Sequence, residues 1–237
     1  MTANPLLVAL DVSTAEEAVR LATKLKPAAG GFKVGLELLN GPGPGVISAL
    51  RRLDLPVFVD AKLHDIPNTV RAAARQLGTW GARWVTVHAS GGRAMIEAAM
   101  VGLVAGARGN PAGILAVTVL TSLDAAQLAA TGVTGTPGRQ VARLARLAAA
   151  GFAEGVVCAP LELGDVAQVA PGLLRVTPGI RPAGDSNDDQ LRTASPQEAI
   201  RRGADYLVIG RPITRASDPL AAAQRILREL PGVELSG

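Results

Sequence analysis

Eight short apolar runs punctuate the chain: LLVAL (6–10), GFKVGL (31–36), LPVFVDA (55–61), ARWVTVH (82–88), GILAVTVL (113–120), GVVCA (155–159), LLRVTPG (173–179) and DYLVIG (205–210). Each is continuously apolar or rich in β-branched residues, as strands buried on both faces of a parallel sheet must be. Segments with helical periodicity follow them, with start signals that can be read directly. Ser13 with Glu16 and Ser195 with Glu198 have the spacing of capping boxes, and Pro196 and Pro219 stand where a first helical turn accepts proline. Strand and helix therefore alternate eight times. In 237 residues this predicts an α/β fold, a (β/α)8 TIM barrel formed as a single domain over 1–237. A doubly wound open sheet is the structural alternative.

Two connections exceed what a barrel needs. Residues 121–138 have room for a short extra helix, and residues 180–194, RPAGDSNDDQLRTA from 181 onward, form a candidate lid at 181–194. The stretch GPGPGV (41–46) resembles a glycine-rich nucleotide loop only superficially. Its prolines and the lack of a fingerprint strand before it make it a turn.

Composition narrows the chemistry. Apolar residues make up 48% and aromatics 3%, so the core is aliphatic. The net charge of +4 is modest, and no basic run is interleaved with aromatics, which argues against nucleic acid as a partner while leaving small anions as ligands. A single cysteine, Cys158, excludes an internal disulfide and a multi-cysteine metal site, and it reads as a small buried apolar residue at a strand end. The N-terminus lacks the features of a signal peptide, and no stretch reaches the roughly 18 apolar residues of a membrane span. A cytoplasmic protein with no membrane partner is expected.

In a barrel of this kind, chemistry gathers where strands end. The residues there are polar at almost every strand: Asp11, Lys33, Asp60 with Lys62, His88, Thr121 with Ser122, Thr177 before Pro178, and Gly210 with Arg211. Asp60 and Lys62 are two apart on a strand and so share a face, while Leu63 begins a turn that brings Asp65 within reach. Carboxylates on both sides keep such a lysine protonated, an acid and not a Schiff-base amine. The alternative is a structural ion-pair network, although buried pairs seldom repay their desolvation. VIGRPIT (208–214) and TPGIR (177–181) would offer backbone N–H groups and guanidinium groups to a phosphate. His64 reads as a residue that orients the charged turn, and His88 as a hydrogen-bonded core histidine. No carboxylate–histidine constellation suggests a metal site.

Those motifs carry a resemblance. From LLVALDV through FKVGLE, DAKLHDIPNT, VTVHASGG, VLTS, TPGIRP and DQLRTASP to ADYLVIGRPIT, the chain resembles the orotidine 5'-phosphate decarboxylase family over nearly its whole length. The D-x-K-x-x-D-I-P-N-T signature is its most specific part. The resemblance implies conversion of orotidine 5'-monophosphate to UMP and carbon dioxide, with no cofactor and no metal, by a homodimer whose active sites are shared. It implies Lys62 as proton donor between Asp60 and Asp65, with Asp65, Ile66 and Thr69 serving the partner's site. Asp11 and Lys33 would hold the ribose, Thr121 and Pro178 would flank the pyrimidine, and Arg181, Gln190, Gly210 and Arg211 would grip the phosphate. Val119 and the stretch SNDD before Gln190 depart from the family pattern. Metal-dependent sugar-phosphate decarboxylases or aldolases of the same superfamily share D-x-K-x-x-D and remain an alternative, as does a non-catalytic nucleotide-binding barrel.

Overall fold

The first apolar run forms β1 (Leu6–Ala9), and α1 (Ala15–Leu25) follows it, capped by Thr14, whose hydroxyl accepts from the Glu17 amide at 3.2 Å. The cap thus lies one residue beyond the Ser13–Glu16 pair expected from the sequence. Ser13 is occupied elsewhere, donating to Glu37 at 2.6 Å. Next come β2 (Gly31–Val34), α2 (Leu36–Asn40) and α3 (Gly45–Arg51), with the GPGPGV turn joining the two helices. The chain continues through β3 (Val57–Leu63), α4 (Pro67–Thr79), β4 (Trp84–His88), α5 (Arg93–Ala107) and β5 (Gly113–Val117). After β5 the long connection does contain an extra helix, α6 (Ala125–Ala130), started by a capping box between Asp124 and Gln127, and α7 (Pro137–Ala150) comes next. The remaining elements are β6 (Gly155–Val157), α8 (Leu163–Val169), β7 (Leu174–Thr177), α9 (Pro196–Arg201), β8 (Tyr206–Ile209), α10 (Arg211–Thr214) and α11 (Pro219–Glu229). Ser195 caps α9 through the Glu198 amide, and Pro196 and Pro219 open their helices as predicted.

The computed structural model describes residues 4–182 and 192–231. Each strand pairs in parallel with its neighbours, and β8 returns to β1, so the sheet closes into an eight-stranded barrel and the open-sheet alternative falls. Strand alternation divides the core in two. Leu6 and Val8 point outward into the layer between sheet and helices, while Leu7 and Ala9 join Phe58, Trp84, Leu115, Val176 and Val208 inside the barrel. Below this plug, ion pairs between Arg83 and Glu154 and between Arg175 and Asp205 tie the starts of the strands, and the Arg83 guanidinium lies 4.4 Å from the Trp84 ring centre. The opposite end stays open, so the polar residues that terminate the strands share one mouth. No helix among the described residues is long and apolar enough to cross a membrane.

α4 and α5 sit unusually close beside the strand that carries Asp60 and Lys62. A Cβ on Gly102 would fall 2.1 Å from the Arg71 carbonyl oxygen, and one on Gly106 would fall 2.0 Å from that of Arg75. Gly106→Ala should therefore push the helices apart and cost about 1–3 kcal/mol, the usual penalty of overpacking. Denaturant unfolding would register this as a lower midpoint at unchanged slope. A midpoint equal to that of the parent would show that this glycine does not set the helix spacing.

Candidate active site

The mouth of the barrel holds a cavity of about 210 Å³. Four charged side chains cross it in alternation, supplied by three successive strands, β1 to β3, or their immediate continuation. The Asp11 carboxylate, after β1, lies 3.3 Å from the Lys33 ammonium on β2, which lies 3.8 Å from the Asp60 carboxylate on β3, and the Lys62 ammonium closes on the same Asp60 oxygen at 2.7 Å. Gly210, at the end of β8, makes room for this array, since a Cβ there would fall 2.9 Å from an Asp11 carboxylate oxygen. Thr121 and Pro178 line the same cavity from beyond the ends of β5 and β7, Arg181 lines it from the segment after β7, and Arg211 lines it from the first residue of α10.

Nine of the expected site residues are thus brought together: Asp11, Lys33, Asp60, Lys62, Thr121, Pro178, Arg181, Gly210 and Arg211. Asp65, Ile66 and Thr69 do not line the cavity and are exposed on the far side of the turn after β3. The Asp65 carboxylate accepts from the Ile66 amide at 2.6 Å and forms no ion pair with a described residue of its own chain. Gln190 and most of the expected lid lie outside the described residues. The ends of that segment are described, and they meet: the Arg181 amide donates to the Ala194 carbonyl at 2.9 Å, and the Ala194 amide donates to the Gly179 carbonyl at 3.2 Å.

One local expectation needs correction. Asp60 and Lys62 do not share a face through simple strand alternation, and Leu63 is still part of β3. The ladder pairs Val59 with Val85 and then Leu63 with Val87, so Asp60, Ala61 and Lys62 bulge opposite Thr86 alone. Lys62 takes a left-handed backbone with φ of 48°, which a residue with a side chain adopts only when its surroundings hold it there. The fixing group is Thr86, fully buried in β4. Its hydroxyl accepts from the Lys62 amide at 2.8 Å and donates to the Asp60 carboxylate at 2.9 Å. The sequence reading passed over Thr86. Its one available signal was a polar residue in the middle of the apolar run ARWVTVH.

Arg192 was also missed, because it sits in a stretch that reads as loop. Its buried guanidinium pairs with Glu162 just after β6 and donates at 2.8 Å to the Leu120 carbonyl beyond β5. This one side chain ties neighbouring walls of the cavity.

The electrostatics follow from the geometry. Burial alone would push the Asp60 carboxyl up, but Lys33 and Lys62, together with hydrogen bonds from Lys62 and Thr86, outweigh it and hold the group below the usual carboxylate range. Asp60 is therefore ionised at neutral pH. His88 is half-buried and pushed down, first by burial and then by His64 and Lys62, so its imidazole is neutral beside the lysine. The exposed His64 ring stands 5.4 Å from it, centre to centre. Cys158 faces the cavity, yet burial foremost pushes its thiol up to about 12, and it stays a neutral, inert wall.

A closed parallel barrel with a lysine–carboxylate array and two arginines at the C-terminal mouth of its strands defines the class: a (β/α)8-barrel protein with its charged groups gathered at that mouth. The sequence model of the Orotidine 5'-phosphate decarboxylase / HUMPS family matches residues 4–226, and the chain belongs to that family. It is 51% identical to an orotidine 5'-phosphate decarboxylase of Anaeromyxobacter sp. (strain K), over 92% of this chain and 94% of the relative. It is 48% identical to one of Paramagnetospirillum magneticum, over 96% and 98%. The crystal structure of orotidine 5'-phosphate decarboxylase from Lactobacillus acidophilus superposes with a TM-score of 0.84 at 38% identity, covering 97% of this chain and all of that one.

The Asp60 result carries a pH dependence. A carboxyl whose folded pKa is depressed stabilises the fold above the unfolded value of about 3.9, and that stabilisation is lost as pH falls through the lower folded value. Asp60→Asn should consequently lower Tm at pH 7, and the gap to the parent should narrow as the pH drops below about 4. A constant gap in thermal melts from pH 7 to pH 3 would contradict the depressed carboxyl.

Proposed function

We infer that this protein is a cytoplasmic, homodimeric orotidine 5'-phosphate decarboxylase that converts orotidine 5'-monophosphate to UMP and carbon dioxide. The observation that carries the reading is the Lys62 ammonium, fixed 2.7 Å from an ionised Asp60 and facing a cavity that Arg181 and Arg211 also line. Loss of carbon dioxide leaves negative charge on a pyrimidine ring carbon with no adjacent carbonyl to spread it. A preorganised ammonium at that carbon stabilises the charge as it develops and then supplies the proton that makes UMP. Asp60 orients the Lys62 ammonium for this role, and Lys33 on the same carboxylate oxygen helps keep Asp60 ionised within the mouth. Asp11 and Lys33 hold the ribose, Thr121 and Pro178 flank the base, and Arg181 and Arg211 with the Gly210 backbone take the phosphate. Binding energy from the phosphate, remote from the reacting carbon, is then available to order the walls around the ring.

In this reading Asp65, Ile66 and Thr69 serve the site of a second copy. Their exposure on the outer side of the turn supports it, as does Ile66 itself, a large apolar side chain left 67% exposed beside a charged mouth. There Asp65 would stand near the departing carboxylate and raise the ground state relative to the transition state. The lid over 181–194, including Gln190, belongs to the same proposal. The hydrogen bond from the Arg181 amide to the Ala194 carbonyl supports it by bringing the two described ends of that segment together.

Purified protein should turn over orotidine 5'-monophosphate in the presence of a chelator. Lys62→Ala should lower kcat by about 1000-fold or more while leaving the far-UV spectrum and cooperative melting intact. A metal requirement would instead favour the sugar-phosphate branch of the family and sink the assignment. The dimer has its own test. Lys62→Ala and Asp65→Asn, each inactive alone, should regain about one quarter of parental activity when unfolded, mixed and refolded, because a twofold dimer with shared sites then restores one intact site per mixed dimer. No recovery would place both residues in the site of one chain.

A further inference from the structure

We infer that Thr86 is a positioning residue for the lysine–carboxylate pair, its hydroxyl acting as the pin that holds the bulge in β3 and thereby aims Lys62 into the cavity. The inference rests on the proposed decarboxylase reading and adds to it a residue outside the charged array.

The argument begins with hydrogen-bond inventory. A threonine hydroxyl has one proton to give and lone pairs to receive with. At Thr86 the lone pair is engaged by the Lys62 amide at 2.8 Å, so its proton is free for the Asp60 carboxylate at 2.9 Å. Asp60 then has both oxygens committed, one to Thr86 and the other to the Lys62 ammonium at 2.7 Å. A carboxylate held at both ends cannot rotate away from the lysine. The same hydroxyl also gives the Lys62 amide a partner within the bulge, where the β3–β4 ladder is interrupted between the Val59–Val85 and Leu63–Val87 pairs. Thr86 thus fixes the backbone of Lys62 and the counter-ion of its side chain at once, from a position with no exposure to solvent.

Two features make the pin necessary. Lys62 occupies a left-handed conformation that its side chain disfavours, so without a partner for its amide the bulge has an alternative in regular strand. Regular strand would restore the ladder but move the residue that now faces the cavity. A hydroxyl on a β-branched residue suits the site, because the branched carbon restricts side-chain rotation within the sheet and keeps the hydroxyl directed at the bulge. The groups around Asp60 that would respond to its loss are Lys33 on β2, Lys62 on β3 and His88 on β4, with Asp11 beyond Lys33.

Thr86→Val keeps the shape and removes the hydroxyl. It should lower kcat for orotidine 5'-monophosphate by about 10- to 100-fold, the scale of a small misplacement of a catalytic group, with KM changed by less than about threefold. The acid limb of the kcat/KM profile should move to higher pH, because Asp60 loses one of the bonds that keep it ionised. Thr86→Ser retains the hydroxyl and should restore kcat to within about threefold of the parent. Thr86→Ala serves as the second hydroxyl-free variant should the valine protein fold poorly, and it must show the same split. A loss confined to KM or to Tm, or a serine variant as impaired as the valine one, overturns the inference. Carboxyl NMR titration of Asp60 provides a readout independent of turnover: its midpoint should rise in Thr86→Val and return in Thr86→Ser, and an unmoved midpoint also overturns the inference. If the parent protein fails to turn over the substrate, the decarboxylase reading falls while this titration still decides the role of Thr86.

Discussion

The mouth of this barrel depends on one buried carboxylate that two lysines share. Asp60 sits where burial would neutralise it, and it remains ionised because Lys33 and Lys62 approach it from adjacent positions while Thr86 occupies its remaining oxygen. Removing Asp60 would leave the Lys62 ammonium without its ion-pair partner among the described residues, which costs far more than the net worth of an intact pair. The surrounding structure reads as the means of keeping that arrangement in place. The apolar plug beneath it excludes water from below, the ion pairs at the strand starts lock the far end, and Arg192 joins the walls beyond β5 and β6 above it.

The barrel itself was legible from the chain because its determinants are local. Eight apolar runs, each followed by a helical period, imply parallel strands, and the chain length admits closure. Caps on residues with side-chain oxygens were readable to within a residue, as the shift from Ser13 to Thr14 illustrates: adjacent hydroxyls compete for one helix start, and the contact with Glu37, distant in sequence, decides between them. The charged members of the site were legible for a related reason. Asp11, Lys33, Asp60, Lys62 and Arg211 end or follow apolar runs, where a charge stands out against its neighbours.

What escaped the sequence reading was the geometry that joins those residues. Strand alternation places Asp60 and Lys62 on one face without any bulge, and nothing in DAKLHDIPNT announces that the ladder slips there. The slip depends on β4, where Thr86 offers a hydroxyl in place of an apolar side chain, and pairing between separate strands is not written into either one alone. Arg192 was hidden in the same way: in sequence it belongs to a polar loop, and only the approach of the Leu120 carbonyl and Glu162 turns it into a buried tie. Residues whose role is to hold other residues tend to be invisible in this manner, since their signal is the partner and not the side chain.

The same distinction bears on how the barrel could carry its proposed chemistry. An ammonium that must first stabilise a carbanion and then protonate it has to remain charged, close to the reacting carbon and still. The counter-charge is supplied by Asp60, and closeness by the strand end. Stillness is the harder requirement for a lysine, whose four-carbon stem has many rotamers and is the costliest kind of side chain to immobilise. The bulge answers it by moving the constraint from the side chain to the backbone. With Lys62 held in a left-handed turn by Thr86 and its ammonium held by Asp60, both ends of the flexible stem are anchored, and the freedom left between them is small. The strain at that one backbone position is then part of the site's preorganisation, set during folding and not during each turnover.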